Sequence, residues 1–290
     1  MDYDEPFWNE ETILPKENAL IKTYTIRSSL YSTRYAYYYL SHDSSDNEEK
    51  LIKFIKLTKE KIHNIQNEVE ITETINHPNI VKLQEAFRYD AYICLVFSYK
   101  NQQSLYDYII KQYPNGIPED LSAKMMQQML EAIGYLHGWK IWHRNVKPEN
   151  FFVSNGSELN IVLGNFEFAK HFQDGEKGTQ YLGSPEFMAP EIINKAPYDG
   201  SVDIWSLGIT LFVMLTGQFP FPRYNFDQNE FLSKASKGIL NFEILKAHNI
   251  SKEAIDLIHN MCKFNPSERI RVHNALKHPW LVKHITAQQQ

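Results

Sequence analysis

Between Asp203 and Thr216 the chain reads Asp-Ile-Trp-Ser-Leu-Gly-Ile-Thr-Leu-Phe-Val-Met-Leu-Thr, a nearly unbroken apolar stretch. A helix that is apolar on every side has to be buried in a soluble chain, so this segment demands a helical surround. The neighbouring sequence supplies one. Leu105 to Tyr113, Leu121 to Trp139, Ser251 to Phe264 and Val272 to His278 all carry helical spacing, and Gly116-Ile117-Pro118 separates the first two. The first hundred residues follow a different grammar. Tyr24 to Ile26, Arg34 to Leu40 and Leu51 to Leu57 are rich in β-branched and aromatic residues, with a polar turn from Ser41 to Glu49. Ile62, Ile65, Val69, Thr72 and Ile75 then recur at three- and four-residue spacing, which predicts an amphipathic helix ended by His77-Pro78-Asn79. Two further strands are expected over Ile80 to Phe87 and Tyr92 to Phe97. Strands with one helix, followed by helices, define an α+β chain in two unequal parts.

Composition narrows the function. The 290 residues are 43% hydrophobic, enough for one large core or two modest ones. Thirty basic against 35 acidic residues leave a net charge of −5, which argues against a nucleic-acid or acidic-membrane partner. Cys94 and Cys262 cannot build a disulfide framework and suit a reducing compartment. The acidic start lacks the basic and apolar regions of a secretory signal, and no apolar run has spanning length. The expected location is the cytoplasm, with the nucleus left open. The Asn155-Gly156-Ser157 and Asn249-Ile250-Ser251 triplets match a glycosylation pattern by chance in such a chain. The 11 histidines are scattered without zinc spacing.

The informative motifs come in a fixed order. His143-Arg144-Asn145-Val146-Lys147-Pro148-Glu149-Asn150 reads as H-R-D-L-x-x-x-N with Asn145 at the Asp position. Asn165-Phe166-Glu167 lies where D-F-G is due, and Ala189-Pro190-Glu191 matches A-P-E. Asp203 to Gly208, Arg269 within Asn265 to Ile270, and the ending Leu276-Lys277-His278-Pro279-Trp280-Leu281 follow. Together these resemble the eukaryotic protein-kinase domain over roughly residues 20 to 283, most like the calmodulin-dependent kinase group. The resemblance implies a bilobal fold: an irregular arm over 1–19, a small antiparallel sheet with one helix over 20–98, a larger and mainly helical part over 99–283, and a frayed tail over 284–290. It also implies that Arg269 pairs with Glu191, and that Gly183 to Phe187 docks substrate.

Carried over residue by residue, the resemblance finds a damaged site. Laying G-x-G-x-x-G-x-V on Ile26 to Tyr35 puts Arg27, Ser29 and Ser32 at the glycines and Arg34 at the valine, so Arg27 to Ser32 reads as an ordinary hairpin turn. Lys53 takes the phosphate-clamping lysine position, with Glu68 as partner. Leu51 and Phe152 crowd the adenine walls, Phe97 is the gatekeeper, and Ser98-Tyr99-Lys100 is the hinge. At the metal position Asn165 brings no negative charge, which leaves Glu167 as the only carboxylate rescue. An amide at Asn145 cannot accept a proton, a loss worth roughly two to four orders of magnitude in rate. Lys147 remains for the γ-phosphate and Asn150 for a second ion. Thr179, Tyr181 and Ser184 fall in the activation segment, either as phosphorylation sites with Arg144 available to a phosphate or as plain loop hydroxyls. These features imply a pseudokinase that works as a binding or allosteric module for a protein partner. No cofactor is firmly expected, and ATP with magnesium only weakly. The alternatives are an active Ser/Thr kinase with Glu167 holding the metal, or a nucleotide-binding domain without turnover.

Overall fold

A computed structural model describes residues 14–33, 36–58, 62–99, 103–155, 159–222, 224 and 227–286. Most of the expected N-terminal arm, Arg34 and Tyr35 of an expected strand, Lys100 of the hinge, the Gly156-Ser157 part of one glycosylation triplet and the tail from 287 lie outside the described residues. The chain forms two units, and His77–Ile80 groups with the second of them.

The first unit is a six-stranded antiparallel sheet with one helix. Its strands are β1 (Leu20–Ile21), β2 (Tyr24–Ser32), β3 (Ala36–Asp43), β4 (Glu48–Lys56), β5 (Leu83–Tyr89) and β6 (Tyr92–Ser98), in the spatial order β1-β2-β3-β4-β6-β5. Alternation gives the sheet two buried faces. Ile26, Tyr39, Ile52, Phe54, Cys94 and Val96 pack on one of them. Ala36, Tyr38, Ile55, Leu95 and Phe97 pack on the other, together with Ile65 of helix α1 (Ile62–Thr74). The expected turn at Arg27 to Ser32 is corrected, because those residues belong to β2 and pair with β3. The chain reverses later, where the Thr33 N–H donates to the Ala36 carbonyl at 2.8 Å. The serines that read as a turn lie on a strand whose outer end is exposed, where polar side chains are tolerated. The strand expected from Ile80 starts only at Leu83, since Ile80 instead bridges Leu163 in the second unit.

The second unit is built around the predicted apolar helix. Its helices are α2 (Leu105–Gln112), α3 (Glu119–Gly138), α4 (Pro190–Ile193), α5 (Ser201–Thr216), α6 (Gln228–Ala235), α7 (Glu243–Ala247), α8 (Lys252–Met261), α9 (Val272–Ala275) and α10 (Pro279–Thr286). Short strands β7 (Gln103–Ser104), β9 (Phe151–Asn155) and β10 (Leu159–Leu163) form one sheet, and β8 (Ile141–Trp142) pairs with β11 (Lys170–His171). In α5 every residue from Val202 to Thr216 is buried. Its hydroxyls stay satisfied by bonding back along the helix, Thr210 to the Ser206 carbonyl and Thr216 to that of Phe212, each at 2.8 Å. Gly208 lets α8 come close, since a Cβ there would sit 2.5 Å from the Cys262 sulfur. Gly217 then ends α5 in the left-handed region at φ 68°. Among the described residues no helix is long and apolar enough to cross a membrane.

The end of the unit is tied to its start. Ser251 caps α8 by accepting from the Ala254 N–H, and its hydroxyl donates to Glu119 at 2.6 Å. The Trp280 indole donates to the same carboxylate at 2.7 Å. Ser251→Ala is expected to cost about 1 kcal/mol, read as a shift in the urea midpoint with unchanged m, because it removes the cap and one donor to Glu119. The helix expected over Val272 to His278 ends already at Ala275, and a further helix opens at Pro279, a position where a missing N–H does no harm.

Candidate functional site

In the second unit the site hangs from Asp203 in the first turn of α5. Its buried carboxylate accepts from the His143 N–H at 3.0 Å, the Arg144 N–H at 2.8 Å and the His137 ring at 2.9 Å. Burial alone raises a carboxylate pKa, but here His137, His143 and the Arg144 N–H outweigh it and hold Asp203 below the usual range. Those bonds fix the loop that follows, whose Arg144 sits at φ 63°. Burial pushes the His143 imidazole pKa down. The neutral ring donates from Nε2 to the Gly164 carbonyl at 3.1 Å and accepts the Asn145 N–H on Nδ1 at 3.3 Å. Phe166 meets that ring edge-on at 5.2 Å.

Three amides occupy the centre. Asn150 ends a tight turn from Pro148 and donates from Nδ2 to the Asn145 carbonyl at 2.7 Å. Asn165 donates from Nδ2 to Asn150 Oδ1 at 3.1 Å, from a left-handed backbone at φ 62° that asparagine tolerates. Lys147 Nζ donates to Ser184 Oγ at 2.8 Å, and Ser184 Oγ lies 3.5 Å from Asn145 Oδ1. This set does not fit magnesium. Asn150 gives its side-chain oxygen to Asn165, and Asn165 Oδ1 is the one buried side-chain oxygen of the three amides left without a partner. A hard dication needs several oxygens with negative charge among them. Glu167 is half-buried in the turn that follows.

Arg144 ties the activation segment together. Arg144 donates to the Phe168 carbonyl at 2.7 Å, to the Gln180 side chain at 2.9 Å and to the Tyr198 hydroxyl at 3.3 Å. Tyr198 in turn donates to the Gln180 carbonyl at 3.1 Å. The Arg144 guanidinium thus has neutral partners throughout, and Ser184 Oγ accepts from Lys147. The predicted Arg269–Glu191 pair forms, with both partners buried and both carboxylate oxygens engaged, at 2.5 and 2.6 Å.

In the first unit, Lys53 donates to both oxygens of Glu68 at 2.6 and 2.9 Å, and both residues are buried. The pair ties α1 to β4 and uses the lysine's charge internally. Phe97 sits on β6 opposite Leu51 and Leu83, and Tyr99 follows the strand with its phenol pKa raised by burial and by Glu49. The position of the hairpin also moves the phosphate-loop motif. Centred on the observed reversal, G-x-G-x-x-G-x-V falls on Tyr31 to Tyr38, so Tyr31, Thr33 and Ala36 stand at the glycines and Tyr38 at the valine. Sequence reasoning placed the motif four residues early and missed Tyr31 and Tyr38. The signal was the long alternating run into Ser32, masked by its serines.

With this geometry described, comparison with known proteins is consistent. Residues 24–281 match the family model for the protein kinase domain, and the chain belongs to that family. Within it, the chain is related to the calmodulin-dependent kinase group. It is 31% identical over 264 residues to Myosin light chain kinase A of Dictyostelium discoideum, covering 90% of this chain and 88% of that protein. It is 31% identical over 234 residues to Calcium/calmodulin-dependent protein kinase type II alpha chain of Drosophila melanogaster, covering 80% of this chain and 43% of that one. It is 33% identical over 223 residues to Serine/threonine-protein kinase GIN4 of Saccharomyces cerevisiae, covering 77% of this chain and 19% of the relative.

Proposed function

We propose that this domain is a pseudokinase, a kinase fold that transfers no phosphate and acts by binding a protein partner. The observation that carries the reading is the amide bonded to an amide: Asn165 donates to Asn150 where the family's chemistry needs metal-facing oxygens. Asn145 adds the loss of the base, and a neutral side chain there can orient a hydroxyl without accepting its proton. What the loop still does is structural, through His143, Arg144 and Asp203. We place the domain in the reducing cytoplasm, a placement that the buried free thiols of Cys94 and Cys262 support. A working Ser/Thr kinase is the second reading, and the Lys147–Ser184 contact is what favours it.

The two readings separate in one assay. With magnesium ATP and a mixed peptide library, phosphoryl transfer is expected to stay at background. Transfer that Lys53→Met abolishes overturns the proposal.

A further inference from the structure

Three residues line up across the first unit's sheet. Tyr31 on β2 pairs with Tyr38 on β3, and Tyr38 pairs with Lys53 on β4. Directly paired residues share a face, and on this face Lys53 meets Glu68 of α1. Tyr31 reaches it only because of a bulge. Ser29 pairs with Tyr39, so regular pairing would set Tyr31 against Tyr37, on the opposite face with Tyr39. The irregularity between Ser29 and Tyr31 shifts the register by one and turns the ring over to the Lys53 side. There it lies on Tyr38 with ring centroids 4.3 Å apart and planes 19° from parallel, while the Tyr38 centroid is 5.9 Å from Lys53 Nζ. Tyr38 is 5% exposed and Tyr31 is 41% exposed, so Tyr31 is the outer ring of a stack whose inner ring faces the lysine.

These are also the positions that the family's motif reserves for its first glycine and its valine. Glycine serves there because the backbone must approach phosphate closely, with no Cβ in the way. Tyr31 puts a flat aromatic ring in that space, held by a second ring of its own chain.

Resting on the pseudokinase reading, we propose that Tyr31 is a built-in occupant of the nucleotide position: its ring, turned inward by the bulge and stacked on Tyr38 beside Lys53, excludes ATP. The stack is a specificity device made from one bulged residue and two rings. It lies wholly within the first unit and uses none of the amides of the second.

The test titrates ATP, with EDTA and separately with magnesium, into wild type, Tyr31→Gly, Tyr31→Ser and Tyr31→Phe, followed by thermal shift. Wild type and Tyr31→Phe, which both keep the ring, are expected to show no saturable shift at millimolar ATP. Tyr31→Gly is expected to bind at least about tenfold more tightly, and equally with or without magnesium because no carboxylate holds the ion. Tyr31→Ser, a residue the strand already carries at Ser29 and Ser32, gives the same reading should the glycine loosen β2. ATP binding by wild type, or a folded Tyr31→Ser that binds no better than wild type, overturns the plug. Wild type that binds ATP but transfers nothing overturns the plug and leaves the pseudokinase reading standing. Tyr31→Ser that both binds and transfers does the reverse.

Discussion

Arg269→Met is expected to destabilise the second unit by about 3–5 kcal/mol, because it strands the Glu191 carboxylate in the interior without its cation. Glu191 is 8% exposed, and both of its oxygens are held by the two terminal nitrogens of Arg269, which is itself 5% exposed. The same guanidinium bonds the Lys263, Ser201 and Phe264 carbonyls and lies 5.1 Å from the Trp205 ring. One side chain therefore gathers the α4 segment, the start of α5 and the chain after α8. Arg269→Lys should recover little, since an ammonium cannot make the forked contact. The double variant Glu191→Leu with Arg269→Met should be more stable than Arg269→Met alone, as it removes the stranded charge. Urea denaturation at low and high salt measures all three. A loss under about 1 kcal/mol for Arg269→Met, or a strong salt dependence, would show that the pair behaves as a surface one.

Asp203 should give the second large effect. Asp203→Ala leaves the His143 and Arg144 N–H groups and the His137 ring without their acceptor, and roughly 1–3 kcal/mol for each buried unsatisfied group puts the loss near 3 kcal/mol or above. The wild-type carboxylate also makes a signed contribution to the pH profile. Its folded pKa lies below the unfolded value of about 3.9, so the stabilisation is complete above that pH and disappears as pH falls through the folded value. Asp203→Ala should therefore be less stable than wild type at neutral pH, and the gap should narrow on acidification below about pH 4. A gap that stays constant down to pH 3 would mean that Asp203 titrates alike in both states. Trypsin cleavage near Arg144 offers a second readout, because the loop's anchor is what the substitution removes.

Much of this molecule could be read from residue order. The apolar run from Asp203 fixed the buried helix, and the period in Ile62 to Ile75 located α1 to within a residue. Ionic partners such as Lys53 with Glu68 and Arg269 with Glu191 followed from motif positions. What escaped were features set by tertiary register. The hairpin reversal sits at Thr33 because the β2–β3 ladder continues through serines that locally favour a turn. The bulge beside Tyr31 changes the face of one ring without leaving any mark in composition. The short helices α4 and α7, of four and five residues, span little more than one turn, too short for a periodic apolar pattern to show. At the site, Asn145, Asn150 and Asn165 were all recognised in the sequence. Their mutual bonding was not, since it depends on two loops meeting at 3.1 Å.

The left-handed backbone at Asn165 has a last implication. Asparagine and aspartate share the same tolerance for that conformation and nearly the same volume. The backbone accepts either residue, but the side chains are not equivalent here: an aspartate has no N–H to donate to Asn150 Oδ1 and would set a carboxylate against that oxygen. Relatives with the same architecture can thus differ in chemistry by a single side-chain atom, and sorting them requires inspection of the residue itself.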